Sequence, residues 1–179
     1  MLELRQLIVS DERAFRAAVA DFRCYDPDWT FAFHFDEKTD FAKYVQKVKD
    51  WSEGKDLGEF VPNTFLVAVV GSKIVGRVSL RHELNDFLLR EGGHIGYGVV
   101  PSERRKGYAK EMLRQTLPIA RKLGLAKVLL TCDDNNEGSA RTIEAHGGIL
   151  ENKILDSGMT VAKTEAVLGA CYLLSAPTA

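Results

Sequence analysis

The sequence has no excess charge of either sign: 24 lysines and arginines stand against 25 aspartates and glutamates, for a formal net charge of −1. No overall basic field would draw the chain onto nucleic acid or an anionic membrane, so any anion site has to be local. Cysteine is scarce. Cys24, Cys132 and Cys171 are odd in number and far apart, with no CxxC pair and no histidine at metal-ligand spacing. This argues against a disulfide framework and against a zinc site, leaving reduced, structural cysteines and no expected metal. Long apolar runs are missing too, since charge interrupts each of them before the ~18 residues that a membrane span needs. The opening Met1-Leu2-Glu3-Leu4-Arg5 lacks the basic-then-apolar order of a signal peptide. The expectation is a cytoplasmic protein with no membrane or nucleic-acid partner. Repeats, low-complexity tracts and linkers are also lacking. At 179 residues and 45% hydrophobic, the chain reads as one domain over residues 1–175 followed by a short tail, 176–179.

What is present alternates. Leu2 to Ile8 reads as a strand, and Ser10-Asp11-Glu12-Arg13 starts a helix that carries Phe15, Ala18, Val19 and Phe22 at helical spacing. Cys24 to Phe35 (CYDPDWTFAFHF) reads as a loop, and Thr39 to Trp51 as a second helix. Asn63 to Val70 and Lys73 to Leu84 are β-branched runs that meet at Gly71-Ser72, the mark of a tight hairpin. Strands follow at His94 to Val100 and Lys127 to Cys132, then after Gly148 and around Cys171 to Leu174. Helices fill Arg105 to Leu123 and Glu137 to His146, the first containing Pro118, which is expected to bend it. The class is mixed α/β.

One passage carries chemistry. Gly96 to Leu113 (GYGVVPSERRKGYAKEML) runs from a strand through three cations and a glycine into a helix. The first turn of a helix has N–H groups with no intrahelical acceptor and the positive end of the dipole, a ready phosphate site. Gly107 would let an anion approach the backbone, and Arg104, Arg105 and Lys106 add charge beside it. A solvated basic loop ahead of an ordinary helix is the alternative. Walker and dinucleotide glycine patterns are not written here.

In these residues the chain resembles the GNAT N-acetyltransferase superfamily, whose loop reads V-x-P-x-x-[RQ]-x-x-G-x-[GA]. Val99, Pro101, Arg104, Gly107 and Ala109 match each fixed place, and Asn136 and Ser139 match a second feature after the next strand. The element order from Leu2 to Leu174 is similar as well. The resemblance implies a mostly antiparallel sheet of about seven strands with a splayed parallel pair, flanked by about four helices. It further implies that acetyl-CoA binds at Val99, Val100, Arg104, Arg105, Lys106, Gly107, Tyr108, Ala109, Lys110, Asn136 and Ser139. The backbone of Val99 and Val100 would hold the pantetheine arm or polarise the thioester carbonyl. Asn136 would bond the same arm, and the acetyl group would pass directly to a primary amine.

The usual catalytic side chains do not carry over. Many relatives have a tyrosine acid where this chain has Ile143, and Ile95 and Thr131 occupy places where relatives often have a glutamate base. The candidates that remain are His82, Glu83 and His94, with His82 preferred; Tyr97 is a further acid candidate, and core packing is the plainer reading of each. Asp26, Asp28, Asp36 and Glu37, interleaved with Tyr25, Trp29, Phe31, Phe33 and Phe35, suggest a cationic amine acceptor, against the reading that these aromatics only pack. Loss of the tyrosine leaves a second reading open, a CoA-binding sensor with little turnover. The segment Lys153 to Leu174 can pair within the chain or across a homodimer.

Overall fold

The β-branched runs Asn63–Val70 and Lys73–Arg81 extend and fold back on each other through a tight turn, in which Gly71 adopts φ +60°. In the computed structural model, which describes residues 1–25, 30–133, 135–155 and 167–175, this hairpin (β2 and β3) is the centre of an antiparallel sheet. Strand β1, Glu3–Gln6, pairs with β2, and β4, Ile95–Val99, pairs with β3. A second antiparallel sheet holds β5 (Lys127–Cys132), β7 (Val167–Ser175) and β6 (Ile149–Leu155), with β7 in the middle.

Helices cover both faces of the first sheet. On one face lie α1 (Glu12–Tyr25) and α2 (Phe41–Ser52), which turn Phe15, Ala18, Val19, Phe22 and Phe41, Tyr44, Val48, Trp51 inward at three- and four-residue intervals. Phe15 is fully buried there, with the rings of Phe31, Phe35, Phe41, Tyr44 and Phe65 between 5.1 and 6.2 Å away. Asp40 caps α2 by accepting the Lys43 N–H at 3.1 Å. On the other face, α4 (Tyr108–Lys122) buries Met112, Leu113, Leu117 and Ala120 against Val75, Val78, Leu80 and Ile95, a core that Val128, Leu130 and Ile143 complete. Two shorter helices are α3, Asp86–Arg90, and α5, Glu137–Glu144.

The two sheets meet at one seam. The His94 N–H donates to Leu129 O at 2.7 Å, and the Leu129 N–H donates to His94 Nδ1 at 2.9 Å. Beyond it, no ladder joins β4 to β5 among the described residues. The C-terminal ends of both strands open on one cleft, so they run in the same direction while diverging.

Several boundaries differ from the sequence reading. The first ladder covers Glu3–Gln6 because a 3-10 turn, Val9–Asp11, begins right after Ile8. Asp11 holds that corner: its carboxylate takes both Nη atoms of Arg5 at 2.7 and 2.8 Å and the Ile8 N–H at 3.0 Å, which keeps it ionised below the usual carboxylate range. Strand β3 stops at Arg81, not Leu84, and α3 follows unexpectedly, capped by Asn85, whose side chain accepts the Leu88 N–H. The helix expected from Arg105 starts at Tyr108, since Arg105 (φ +63°) and Gly107 (φ +81°) are left-handed. It continues past Pro118 to Lys122. The segment left open between intrachain and dimer pairing forms β6 and β7 over its described residues; the tail 176–179 lies outside them.

Gly93 fixes the seam, because it adopts φ +57° and a Cβ there would collide with Leu129 O. Gly93→Ala is expected to destabilise the fold by more than about 1 kcal/mol, read as a lowered urea midpoint at unchanged slope.

Candidate active site

Sheet register decides what β4 offers to the cleft. Arg81 N–H bonds His94 O at 2.8 Å and Val100 N–H bonds Val75 O at 2.9 Å, so alternate residues of β4 spend their backbone groups on β3. The main-chain groups of Tyr97 and Val99 therefore point the other way, into the gap left by the splay. The Val100 amide is committed to β3 and its side chain is buried in the α1/α2 core. Of the two residues expected to hold a ligand through their backbone, only Val99 faces the cleft, and Tyr97 joins it.

The loop after β4 passes through a 3-10 turn, Pro101–Glu103, before the left-handed Arg105 and Gly107 deliver the chain to α4. Among the described residues no side chain caps this helix, and the first intrahelical bond is Glu111 N–H to Gly107 O at 3.2 Å. The N–H groups of Tyr108, Ala109 and Lys110 thus have no helical acceptor at the positive end of the dipole. Among the described residues, and apart from its chain neighbours, nothing lies within 4 Å of where a Gly107 Cβ would be, so the glycine serves its φ rather than a tight contact.

Val99, Arg104, Arg105, Gly107, Tyr108, Ala109 and Lys110 line one cleft of about 590 Å³, with Asn136 and Ser139 on its opposite wall and Tyr97 at its base. Three details depart from expectation. Lys106 does not line the cleft; its ammonium sits 2.6 Å from the Glu103 carboxylate. The Arg104 guanidinium lies over the Phe22 ring at 5.7 Å. Asn136 uses Oδ1 to cap α5 through the Ser139 N–H at 3.0 Å, which leaves its amide nitrogen to donate to a ligand.

None of the three candidate bases lines this cleft. His94 is built into the seam: with Nδ1 accepting from Leu129, the neutral ring carries its proton on Nε2 and has no lone pair to give. His82 stands one residue past β3, with Nε2 2.8 Å from the Thr64 hydroxyl, so the tautomer that donates there leaves Nδ1 able to accept a proton. Glu83 follows it. Ile143 is buried in the core, whereas the Tyr97 hydroxyl reaches toward α5, 3.4 Å from Ser139 O. Burial lifts that hydroxyl above the ordinary phenol range, opposed by its hydrogen bonds to Ser139 and Thr142.

The expected aromatic and acidic acceptor wall is used otherwise where it is described. Phe31 and Phe35 are core residues around Phe15, Asp36 accepts from Thr39 and Lys38, and Glu37 sits 3.9 Å from Arg23. Asp26, Asp28 and Trp29 lie outside the described residues. What the sequence reading missed is on β3, where Arg77, Ser79 and Arg81 all face the α1/α2 side. The signal was an R-x-S-x-R alternation in a strand covered on both faces.

A GNAT acetyltransferase domain model matches residues 1–149. The chain belongs to the GNAT acetyltransferase family. As a member it takes its acetyl group from acetyl-CoA. A search of curated protein sequences returned no match. Among solved structures, it is similar to an N-acetyltransferase from Staphylococcus aureus Mu50, at 16% identity over 99% of both chains and a TM-score of 0.64. It is also similar to spermidine N-acetyltransferase from Vibrio cholerae in complex with CoA and spermine, at 17% identity, covering 98% of this chain and 95% of that one, TM-score 0.62. The microcin C7 self-immunity acetyltransferase MccE, in complex with acetyl-CoA and AMP, aligns at 13% identity over 97% of this chain and 92% of that one, TM-score 0.68.

His94 gives a pH signature. Burial, and then the nearby Arg81 charge, hold its pKa below the ordinary 6.5. An unfolded chain would therefore take up a proton that the folded one resists, so the stability His94 contributes is complete above pH 6.5 and is lost as pH falls through the lowered folded value. Urea midpoints are expected to drop between about pH 7 and pH 5, with a shallower drop in His94→Gln.

Proposed function

We propose that the protein transfers an acetyl group from acetyl-CoA to a primary amine, on a small molecule or at a peptide N-terminus or lysine, by direct attack in a ternary complex. The observation that carries this reading is the uncapped first turn of α4 opening on the same cleft as the free edge of β4. The residues present fit the cosubstrate. The N–H groups of Tyr108, Ala109 and Lys110, with Arg105, would hold a pyrophosphate, as helix N-termini do. The main-chain groups of Tyr97 and Val99 would pair with the amides of the pantetheine arm, taking the place of the strand partner that the splay removes. The Asn136 amide would donate from the opposite wall. Acetyl-CoA, when bound, supplies an activated thioester.

The protein's own contribution is then position and protons. Tyr97 Oη, a phenol protonated at neutral pH, would be the group in the cleft that gives a proton to the departing thiolate, in place of the acid that Ile143 does not supply, although burial makes it a weaker acid than a free phenol. His82, which stands outside the cleft, would take the amine proton at Nδ1 through an intervening water. Its ring is neutral at pH 7 because burial lowers its pKa, against the opposing charge of Glu83.

Calorimetry should show CoA binding to the wild type and weakening by about 100-fold in Gly107→Glu, where a carboxylate would face the pyrophosphate. Thiol release from acetyl-CoA should be stimulated by one class of amine; stimulation by hydroxyl or thiol acceptors alone would overturn the amine assignment. Tyr97→Phe should lower kcat by about 100-fold or more while CoA affinity holds. An unchanged kcat would remove Tyr97 from the mechanism.

A further inference from the structure

Of the three cations that the sequence places before Gly107, the structure leaves one for a ligand. Arg105 lines the cleft and, among the described residues, makes no ion pair. Arg104 also borders the cleft, but its guanidinium lies over the Phe22 ring and its Nε bonds Val99 O at 3.4 Å. Lys106 stands between two cleft-lining residues, Arg105 and Gly107, and is itself turned away: its Nζ lies 2.6 Å from Glu103 Oε2. The other carboxylate oxygen, Oε1, is 3.6 Å from Nζ of Lys73, the first residue of β3.

Glu103 has the wrong sign for a phosphate turn, and several contacts fix it there. It closes the 3-10 turn that Pro101 opens with its constrained φ, and its N–H bonds Val100 O at 2.8 Å. Its side chain is only 13% exposed, against 50% for Lys106 and 74% for Lys73. The carboxylate is therefore the anchored partner, and the lysines, on flexible four-carbon stems, are the groups it restrains. The hydrogen bond from Lys106 keeps Glu103 ionised below the usual carboxylate range.

The reaction gives this arrangement a purpose. Acetyl-CoA and the product CoA carry the same phosphates, so a contact to them stabilises substrate and product alike, adds nothing to the chemical step and slows departure of the product. The first turn of α4 and Arg105 already supply such a grip. We propose that Glu103 is a positioning residue that holds Lys106 off the pyrophosphate, so that CoA can leave after acetyl transfer. This rests on the acetyltransferase reading above and assigns to the same cleft a residue that limits affinity.

Calorimetry of CoA with four proteins tests this: wild type, Glu103→Gln, Lys106→Gln and the double variant. Glu103→Gln keeps the side chain's size and should tighten CoA about fivefold by releasing Lys106 to the phosphates. In the Lys106→Gln background the same change should matter by less than about twofold, because its effect needs the lysine. In turnover assays, the inhibition constant of product CoA should fall in Glu103→Gln by the same factor as its dissociation constant. A second readout does not depend on affinity: labelling by an amine-directed reagent, mapped by mass spectrometry, in which bound CoA should shield Lys106 in Glu103→Gln and leave it as reactive as before in wild type. Tightening of equal size in both backgrounds would reduce Glu103 to a general field and overturn the inference. Unchanged or weaker CoA binding in Glu103→Gln, or shielding of Lys106 by CoA in wild type, would overturn it too, while leaving the acetyltransferase standing. Absence of CoA binding to wild type would overturn both.

Discussion

The splay of β4 from β5 depends on a short seam just ahead of β4, where His94 pairs with Leu129 and the Gly92 N–H donates to Thr131 Oγ1 at 2.8 Å. These hydrogen bonds bring the sheets together, and the lack of a continuing ladder among the described residues sends them apart. Each bond contributes only about 1 kcal/mol net, so the seam is held as much by what packs beneath it. Ile95 from one sheet and Val128 and Leu130 from the other share one core with α4 and α5. Had the ladder run on, the backbone groups of Tyr97 and Val99 would have been consumed by β5. The free edge is the reason a ligand can take the place of a strand.

That edge becomes a site because a second set of unpaired backbone groups lies at its end. The left-handed turn at Arg105 and Gly107 ends the strand abruptly and starts α4 without a cap, so one end of the cleft is a helix N-terminus and one side is a strand edge. The helix end presents donors and the strand edge both donors and acceptors, which a bound ligand can engage in place of water, although the Val99 carbonyl already accepts from Arg104 Nε at 3.4 Å. The charges of the loop are less uniform than their spacing suggests: Arg105 faces the cleft, Arg104 packs on Phe22, and Lys106 is tied to Glu103.

The two faces of the first sheet divide the work. The α4 face is aliphatic and supports the cleft, while the α1/α2 face is an aromatic cluster centred on Phe15 that surrounds a polar stripe on β3. Aromatic packing makes that second face rigid, and Phe33 and Thr30 hold Arg77 in place from the loop side.

Local pattern was enough for much of this. Apolar spacing marks α1, α2 and α4, β-branched runs and Gly71-Ser72 mark the hairpin, and Val99, Pro101, Arg104, Gly107 and Ala109 mark the phosphate turn, because each depends on neighbours a few residues away. The one-turn helix α3 was missed because its signal is a single cap at Asn85. The roles of individual side chains were not legible. Whether Val100 or Tyr97 turns its backbone to the cleft depends on the β3 register, and whether His94 is a base or a seam depends on Leu129, far along the chain. The convergence of Arg77 and Arg81 on Gly96 likewise needs β3 laid beside β4. The sequence alone determined the elements and the family, since these follow from local periodicity and a short motif; the tertiary structure decided which donors remain free, since that is set by partners distant in sequence.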